Sequence, residues 1–303
     1  MLDKVTFIGS KHIGLTALKT IYSLAPDKLH SIITINDTAD VRCELNNFKD
    51  FSKTTGKTLF ILNKPSELES VIQDDPPDMC LVVGWYWLFK KDLLDKIPNG
   101  LLGIHASLLP KNRGGAPLVW PIINGDKESG ISLFYIDEGM DTGDIVGQKR
   151  FNIKNEDTVA DIIVKAASLT IELLKDKYYL LLDGTAPRVP QNHNAATYCS
   201  QRKPEDGHIN WRSTNVEIHN AIRAQSHPYP GAFSFVDGKK LYIWKSMVFK
   251  QVYYGIPGLV VEVTNNYVIV TCGKGAICLY EAQFEGFPKE SANKVLKYED
   301  RLK

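Results

Sequence analysis

Short apolar runs alternate with amphipathic stretches through the first third of the chain. The apolar runs predict strands at residues 5–9, 31–35, 58–62, 79–84 and 101–105. Between them, apolar side chains recur at helical spacing and predict helices at residues 13–24, 44–55, 66–72 and 90–96. This alternation is typical of an α/β domain with a mostly parallel sheet.

The pattern changes in the middle of the chain. Two predicted strands, 131–136 and 145–153, flank a polar turn, and a long amphipathic helix follows a capping residue at Asp157 or Thr158. Residues 184–207 have no periodicity and contain several prolines, as linkers do. We therefore expect a first domain over residues 1–185 and a linker over 186–207.

The C-terminal part of the chain predicts a second, smaller domain. A short helix at 216–224 precedes strands at residues 232–236, 240–244, 259–263, 267–271 and 276–281. Short strands separated by glycine or asparagine turns are typical of a small β-barrel. We expect a barrel of the OB type over residues 208–303.

Charge and cysteine content argue against several classes of function. The 303 residues carry 36 Lys and Arg against 35 Asp and Glu, a formal charge of +1. This balance argues against binding that rests on neutralising nucleic-acid phosphates, and it gives no reason to expect a membrane partner. The five cysteines are scattered without C-x-x-C spacing, which favours neither a disulfide framework nor a metal site. No apolar run suits a signal sequence or a membrane span, so we expect a cytoplasmic protein.

The segment from Gly9 to Gly14 lies between the first strand and the first helix, where dinucleotide-binding proteins carry G-x-G-x-x-G. Lys11 replaces the middle glycine, and Asp37 after the second strand is weak support. We interpret the segment as a tight turn of an α/β fold and expect no dinucleotide site.

Residues 103–120 are the most informative stretch of the sequence. His105 ends a predicted strand, where α/β sheets present groups to ligands, although a lone histidine there can equally be structural. The loop that follows holds polar side chains beside two glycines, which let the backbone approach a ligand closely. Further on, the turn 137–144 supplies several carboxylates, a composition that solvated turns also have.

Together these two stretches resemble the folate-dependent formyltransferase family. The family pattern N-x-H-x-S-L-L-P-x-x-R-G is similar to residues 103–114, and D-[TSA]-G-x-I is similar to residues 141–145. Residues 202–211 and 223–233 look like the family's linker and the entry to its OB-like domain. The resemblance covers nearly the whole chain. It implies a Rossmann-like formyltransferase domain followed by a smaller OB-like domain.

The resemblance implies transfer of a formyl group from 10-formyltetrahydrofolate to a primary amine, without a metal. His105 would take the proton of the attacking amine and return it to the departing folate nitrogen. Asp141 would hold the imidazole and favour its charged form. The folate would lie against two segments, of which the first can equally be plain core packing. These segments are Trp87, Leu88 and Phe89, and Asp137, Glu138, Gly139, Met140 and Asp141.

One position departs from the family pattern. Gly103 stands where the resemblance implies an asparagine that donates a hydrogen bond to the formyl oxygen. Loss of one such donor lowers the rate by roughly 10²–10³ in a comparable case. Three explanations stay open: Asn112 supplies the donor, backbone N–H groups or water do so, or the protein is impaired or has another acyl chemistry. We favour retained activity because His105 and Asp141 are both present.

The sequence favours a nucleotide-linked amino sugar over tRNA as the source of the amine. The tRNA-directed members of the family carry a basic, glycine-rich loop after the second strand, whereas residues 36–46 are more acidic than basic. The near-zero charge argues the same way, and the run 114–120 resembles that of the 4-amino-4-deoxyarabinose enzyme. We expect a dTDP- or UDP-linked amino sugar of cell-surface O-antigen synthesis, no nucleic-acid or membrane partner, and a homodimer.

Four polar residues of the loop are candidate substrate contacts: Ser107, Lys111, Asn112 and Arg113. Of these, Lys111 and Arg113 can equally be solvated loop charges. The alternatives to the sugar enzyme are a methionyl-tRNA formyltransferase and a non-catalytic protein that binds folate or a sugar nucleotide.

Overall fold

The computed structural model describes residues 2–303, which form two compact units. The first unit comprises the chain up to Pro117, Ser129–Phe151 and Ile163–Cys199. The second comprises Leu118–Glu128, Asn152–Ile162 and Ser200–Lys303. The continuous domain ranges and the linker expected from the sequence stay a prediction, since each unit here is assembled from separate stretches of chain.

The first unit is built on a seven-stranded, mostly parallel sheet. Its strands, with those of a small second sheet, are β1 (Val5–Gly9), β2 (Leu29–Ile35), β3 (Thr58–Leu62), β4 (Met79–Val83), β5 (Leu101–His105), β6 (Arg113–Gly114), β7 (Glu128–Tyr135), β8 (Ile145–Asn152) and β9 (Tyr198–Cys199). The order in the large sheet is β3-β2-β1-β4-β5-β7-β8. The neighbours from β3 to β5 pair in parallel, and β7 runs antiparallel to β5. The predicted α/β domain is confirmed.

Helices follow the strands of this sheet as the apolar spacing predicts. The predicted ones are α1 (Lys11–Leu24), α2 (Leu45–Thr55), α3 (Ser66–Asp74), α4 (Lys91–Leu94) and the long α6 (Val159–Leu182), whereas α5 (Trp120–Asn124) belongs to the second unit. In α1 the buried side chains include Leu15, Leu18 and Ile21, at the spacing of one helix face. Helix α2 ends where Gly56 adopts a left-handed conformation and its N–H donates to the carbonyl of Ser52.

The parallel strands bring several loops to one edge of the sheet. The strands β1, β4 and β5 are neighbours and parallel, so the segments that follow Gly9, Val83 and His105 all leave at their carboxyl ends. In α/β sheets this edge is where ligands bind. A Cβ at Gly9 would lie 2.4 Å from the carbonyl oxygen of Val83, so only glycine permits the close approach of these strands.

The C-terminal unit contains an antiparallel sheet of six strands. Its elements are α7 (Asn215–Gln225), β10 (Ala232–Val236), β11 (Lys239–Val248), β12 (Val260–Val263), β13 (Val268–Thr271), β14 (Ala276–Phe284), β15 (Glu290–Ser291) and α8 (Ala292–Val295). The order is β10-β11-β14-β13-β12, and β15 pairs with β14. Thr214 and Glu217 form a capping box that starts α7. This smaller β domain is consistent with the predicted barrel.

Several short elements have no counterpart in the sequence pattern. The strands β6 and β9 pair in parallel, although each has only two residues and therefore no periodicity to detect. Helix α5 and the short 3₁₀ helices at His193–Ala195 and Pro204–Gly207 were likewise not expected. Among residues 2–303, the helices lack the combination of length and apolar content that crossing a membrane requires.

Candidate active site

His105 lies at the end of β5 and is almost completely buried, with 9% of its surface exposed. Its Nε2 is 2.8 Å from the carbonyl oxygen of Asn112. A carbonyl oxygen only accepts, so Nε2 must carry a proton. The other ring nitrogen, Nδ1, lies 3.5 Å from Oδ2 of Asp141. Nδ1 is therefore the nitrogen that can take up a proton, beside a carboxylate that stabilises the resulting cation.

Asp141 lies in the turn between β7 and β8 in a left-handed conformation, with φ of 53°. Few residues other than glycine adopt this conformation, so it marks a turn held by its surroundings. Besides facing His105, Oδ2 accepts a hydrogen bond of 2.7 Å from the backbone N–H of Gly114. One carboxylate oxygen thus joins the loop after β5 to the turn after β7. The structure brings together the two predicted catalytic residues.

The loop after β5 is held by buried hydroxyl groups. Ser107 is fully buried, and its Oγ donates to the carbonyl of Lys111 at 2.6 Å. The hydroxyl of Ser132 on β7 donates to the carbonyl of Ser107 at 2.7 Å and accepts from the N–H of Leu109. Ser107 therefore closes the turn that presents Asn112 to His105. In this structure it has no surface to offer a substrate.

Arg113 is also fully buried. Its guanidinium donates to Oε1 of Gln191 and to the hydroxyl of Tyr198, and it contacts Nδ1 of His193 at 3.3 Å. The structure therefore places Arg113 inside the protein, not as a solvated loop charge. Of the predicted substrate contacts, Lys111 is exposed and Asn112 is partly exposed.

Asn112 adopts a left-handed conformation with φ of 56°, which turns its carbonyl towards His105. Its N–H donates to Oγ1 of Thr197 at 2.8 Å. Its side-chain oxygen accepts from Oγ1 of Thr197 at 3.3 Å and from Sγ of Cys199 at 3.5 Å. The amide oxygen is thus anchored on the segment around β9.

The predicted folate segment after β4 forms an aromatic cluster. The ring of Trp85 lies 5.1 Å from that of Trp87, edge to face, and 6.4 Å from that of Phe89, roughly parallel. Leu88 projects outward with 84% of its surface exposed. The indole N–H of Trp85 is buried and has no hydrogen-bond partner within residues 2–303. A buried unpaired donor is uncommon in folded proteins.

The second predicted folate segment is a turn whose acidic groups have partners. Oδ1 of Asp137 accepts from the N–H of Gly139 at 3.0 Å and from the hydroxyl of Thr142. Glu138 forms an ion pair with Lys91 at the start of α4. Met140 is half exposed. The turn therefore offers main chain and an apolar side chain, not free carboxylates.

Position 103 has no room for a side chain. In the antiparallel register of β5 and β7, Gly103 lies opposite Phe134. A Cβ at Gly103 would be 2.9 Å from Cε1 of Phe134 and 3.2 Å from Cδ1 of Ile136. The side chains of β7 and the residue after it fill the space that the family's asparagine would need.

A charge cluster lies at the carboxyl edge of β1 and β2. Lys11, with φ of 62°, forms ion pairs with Asp37 and with Asp40, the latter at 2.8 Å. Arg42 donates to both carboxylate oxygens of Asp40, at 3.0 and 2.7 Å. This bond from Arg42, assisted by Lys11, holds the pKa of Asp40 well below its usual range. Burial by itself lowers the pKa of Lys11, but the interactions with Asp37 and Asp40 together have the larger effect, so the pKa of Lys11 is raised.

Gln191 is a residue of this region that no sequence pattern predicts. It lies in the aperiodic stretch after α6, is 6% exposed, and donates from Nε2 to the carbonyls of Asp141 and Gly143. Neither periodicity nor a motif marks it. Within residues 2–303, no group of three or more His, Cys, Asp or Glu residues is placed to hold a metal ion.

Known protein families match both parts of the chain. The family described as formyl transferase matches residues 19–176, which include His105 and Asp141. The formyl transferase C-terminal domain matches residues 202–299. The chain belongs to the formyl transferase family. The family suspected from residues 103–114 and 141–145 is confirmed.

Curated relatives extend this similarity over the length of the chain. A methionyl-tRNA formyltransferase of Pelotomaculum thermopropionicum is 32% identical over 304 residues, which cover 97% of this chain and 95% of the relative. One from Acetivibrio thermocellus is 34% identical over 223 residues, covering 73% of this chain and 71% of the relative.

Solved structures share the fold. WlaRD, a sugar 3N-formyl transferase crystallised with dTDP and 5-N-formyl-THF, is 22% identical with a TM-score of 0.68, covering 95% of this chain and 100% of that one. The N-formyltransferase from Helicobacter canadensis, in complex with folinic acid and dTDP-3-aminofucose, is 24% identical with a TM-score of 0.69, covering 92% and 99%. At these identities the likeness concerns the fold alone.

Proposed function

We propose that this formyl transferase transfers the formyl group of 10-formyltetrahydrofolate to the amine of a nucleotide-linked amino sugar. The observation that carries the proposal is the pairing of His105 with Asp141. The proton on Nε2 is committed to the carbonyl of Asn112, so Nδ1 takes the proton of the attacking amine. Oδ2 of Asp141, at 3.5 Å, stabilises the charge that Nδ1 then carries.

The cluster after β4 fits an aromatic ring system with hydrogen-bonding edges, as folate has. The indole N–H of Trp85 is buried and unpaired within residues 2–303, so an acceptor on a bound ring would satisfy it. The exposed Leu88 and the half-exposed Met140 are apolar side chains on which such a ring can pack. Folate, when bound, supplies the formyl group. In this proposal Trp87, Phe89 and the main chain of 137–141 complete its site.

Asn112 is the proposed replacement for the family's asparagine. Its oxygen is anchored by Thr197 and Cys199, and its amide nitrogen makes no hydrogen bond within residues 2–303. The side-chain N–H groups are therefore available to a developing negative oxygen, and the backbone carbonyl of the same residue lies 2.8 Å from Nε2 of His105. A hydrogen bond from Asn112 would replace the donor that is missing at Gly103, where Phe134 leaves no room for a side chain.

Charge supports a nucleotide sugar over tRNA as the source of the amine. The formal charge is +1, and the loop after β2 contains two aspartates that neutralise its own Arg42 and the nearby Lys11. Acceptor-stem binding draws on unpaired cations that contact phosphates, whereas Lys11 and Arg42 are both engaged in ion pairs with these aspartates. Lys111, exposed beside the site, is the proposed contact to the diphosphate of the sugar nucleotide. A homodimer stays a prediction.

Methionyl-tRNA formyltransferase is the second candidate. The specific observation in its favour is the 32% identity to the Pelotomaculum thermopropionicum enzyme over 97% of the chain. In that case the same pairing of His105 and Asp141 would serve the amine of the methionyl group.

One experiment separates these candidates. The protein is incubated with 10-formyltetrahydrofolate and, in parallel, with a panel of dTDP- and UDP-linked amino sugars and with methionyl-tRNA, and tetrahydrofolate release is measured. Release with at least one sugar and none with methionyl-tRNA is the expected result. Release with methionyl-tRNA alone contradicts the sugar proposal. Folate binding without tetrahydrofolate release in the presence of any acceptor indicates a non-catalytic binding protein.

A further inference from the structure

Gln191 lies between the buried Arg113 and the turn that carries Asp141. Its Nε2 donates to the carbonyl of Asp141 at 2.9 Å and to the carbonyl of Gly143 at 2.7 Å. Its Oε1 accepts from Nε and Nη2 of Arg113, at 3.2 and 2.7 Å. The amide is thus saturated on both sides, and it joins the guanidinium to the backbone of the turn.

The orientation of this amide follows from its partners. A guanidinium only donates, and backbone carbonyls only accept, so the oxygen must face Arg113 and the nitrogen must face the turn. A flip of the Gln191 amide would place two acceptors against each other and two donors against each other. The arrangement therefore has one stable form.

The turn needs such support because Asp141 is held in a left-handed conformation, with φ of 53°. This conformation aims Oδ2 at the N–H of Gly114, 2.7 Å away, and at Nδ1 of His105. Without a restraint on the carbonyl of Asp141, the residue can relax to an extended conformation, which non-glycine residues prefer. The carboxylate would then turn away from the imidazole.

The residue type at position 191 is informative. Within residues 2–303, Arg113 is bonded to neutral groups and forms no ion pair with a carboxylate. A glutamate at position 191 would give this buried cation a charged partner, which is the stronger interaction for the guanidinium alone. A glutamate has no N–H to give the carbonyls of Asp141 and Gly143. Glutamine therefore lacks the stronger ion pair with Arg113 but keeps the hydrogen bonds to the two backbone carbonyls of the turn.

We propose that Gln191 is a positioning residue that holds Asp141 against His105, with Arg113 as its anchor. The inference rests on the proposed role of His105 and Asp141 in formyl transfer. It reassigns Arg113 from a candidate substrate contact to the support of the active site.

The test compares Gln191→Glu, which keeps an acceptor for Arg113 but loses the N–H donors, with Gln191→Met, which loses both. Turnover is measured on the intact enzyme well below its thermal midpoint. We expect kcat to fall by about tenfold to a hundredfold while both KM values stay within about twofold, because the binding surfaces are unchanged and the acid–base pair is displaced. Gln251→Glu and Gln251→Met, at an exposed position of the C-terminal unit, are the matched controls.

A readout independent of turnover is the amide proton of Gly114, observed by NMR. In the wild type it is bonded to the carboxylate of Asp141, and we expect it to move upfield in both variants at position 191. Folded variants with wild-type kcat and an unchanged Gly114 resonance would overturn the proposal. If Gln191→Met does not fold, Gln191→Glu carries both measurements. A wild type that formylates no acceptor refutes the proposed function, and the Gly114 resonance then decides the positioning role by itself.

Discussion

The ring of Phe134 occupies the space beside Gly103 in which a side chain at that position would lie. The two residues are paired across β5 and β7, and a Cβ at Gly103 would come within 2.9 Å of the ring. Gly103 and the bulky residue opposite are therefore complementary. The departure from the family pattern is part of the packing of this sheet.

Restoring the family's asparagine should consequently harm the protein. We expect Gly103→Asn to lower the free energy of unfolding by about 1–3 kcal/mol, the usual cost of overpacking, without raising kcat. Urea denaturation and steady-state kinetics measure both effects. Gly103→Asn should cost less stability in a Phe134→Ala background than in the wild type, because the ring that the new side chain would meet is then absent. A single variant with higher kcat and unchanged stability would contradict the steric explanation.

His105→Ala tests the proposed proton acceptor. Loss of a general base lowers turnover by typically 10²–10⁴, and we expect kcat to fall by an amount in that range with folate binding retained. His12→Ala is a matched control, since that side chain is exposed on α1. Turnover of the His105 variant within a factor of two of the His12 variant would rule out the mechanism.

Trp85→Phe tests the fit of the aromatic cluster to folate. The change removes a buried N–H that has no partner within residues 2–303, so we expect little loss of stability. If a bound folate satisfies this donor, its loss costs about one hydrogen bond, or roughly a tenfold rise in Kd. Calorimetry with 5-formyltetrahydrofolate measures the affinity. Trp244→Phe, whose N–H is bonded to Gln283 in the C-terminal unit, should leave that affinity unchanged.

The charge cluster around Asp40 predicts a pH dependence of stability. Folding lowers the pKa of Asp40, chiefly through the hydrogen bond from Arg42. Its contribution to the free energy of unfolding is therefore complete above the ordinary pKa of about 3.9, and it is lost as the pH falls through the pKa of the folded state. We expect Asp40→Asn to destabilise the protein by about 1 kcal/mol at pH 7 and by less at pH 3. Urea unfolding at both values measures this. Asp50→Asn, at an exposed position of α2, is the control, and an equal effect of Asp40→Asn at both pH values would contradict the assignment.

The strands that form the active-site edge could be predicted from the sequence because their signal is local. A parallel strand buried on both faces is a continuous apolar run, and the runs ending at Gly9, Val83 and His105 are of that kind. Once the order of strands is known, the loops after them meet. His105 ends such a run, whereas Asp141 lies in the turn after the antiparallel β7, so the sequence indicated Asp141 through its motif and not through the order of strands.

The roles of the neighbouring residues depended on contacts between distant parts of the chain. Arg113 reads as a loop cation in the sequence, yet β6 pairs with β9 and Gln191, 78 residues further on, accepts its bonds. Burial of a charged group requires hydrogen-bond partners, and a local sequence pattern does not indicate partners that are so distant along the chain.

The sequence by itself determined the family, the α/β class and the identity of the paired histidine and aspartate, because periodicity and motif spacing are properties of short segments. Only the tertiary structure decided that Phe134 fills the space at Gly103 and that Gln191 joins Arg113 to the backbone carbonyl of Asp141. Those outcomes depend on which side chains compete for the same volume and the same hydrogen bonds once the sheet has formed.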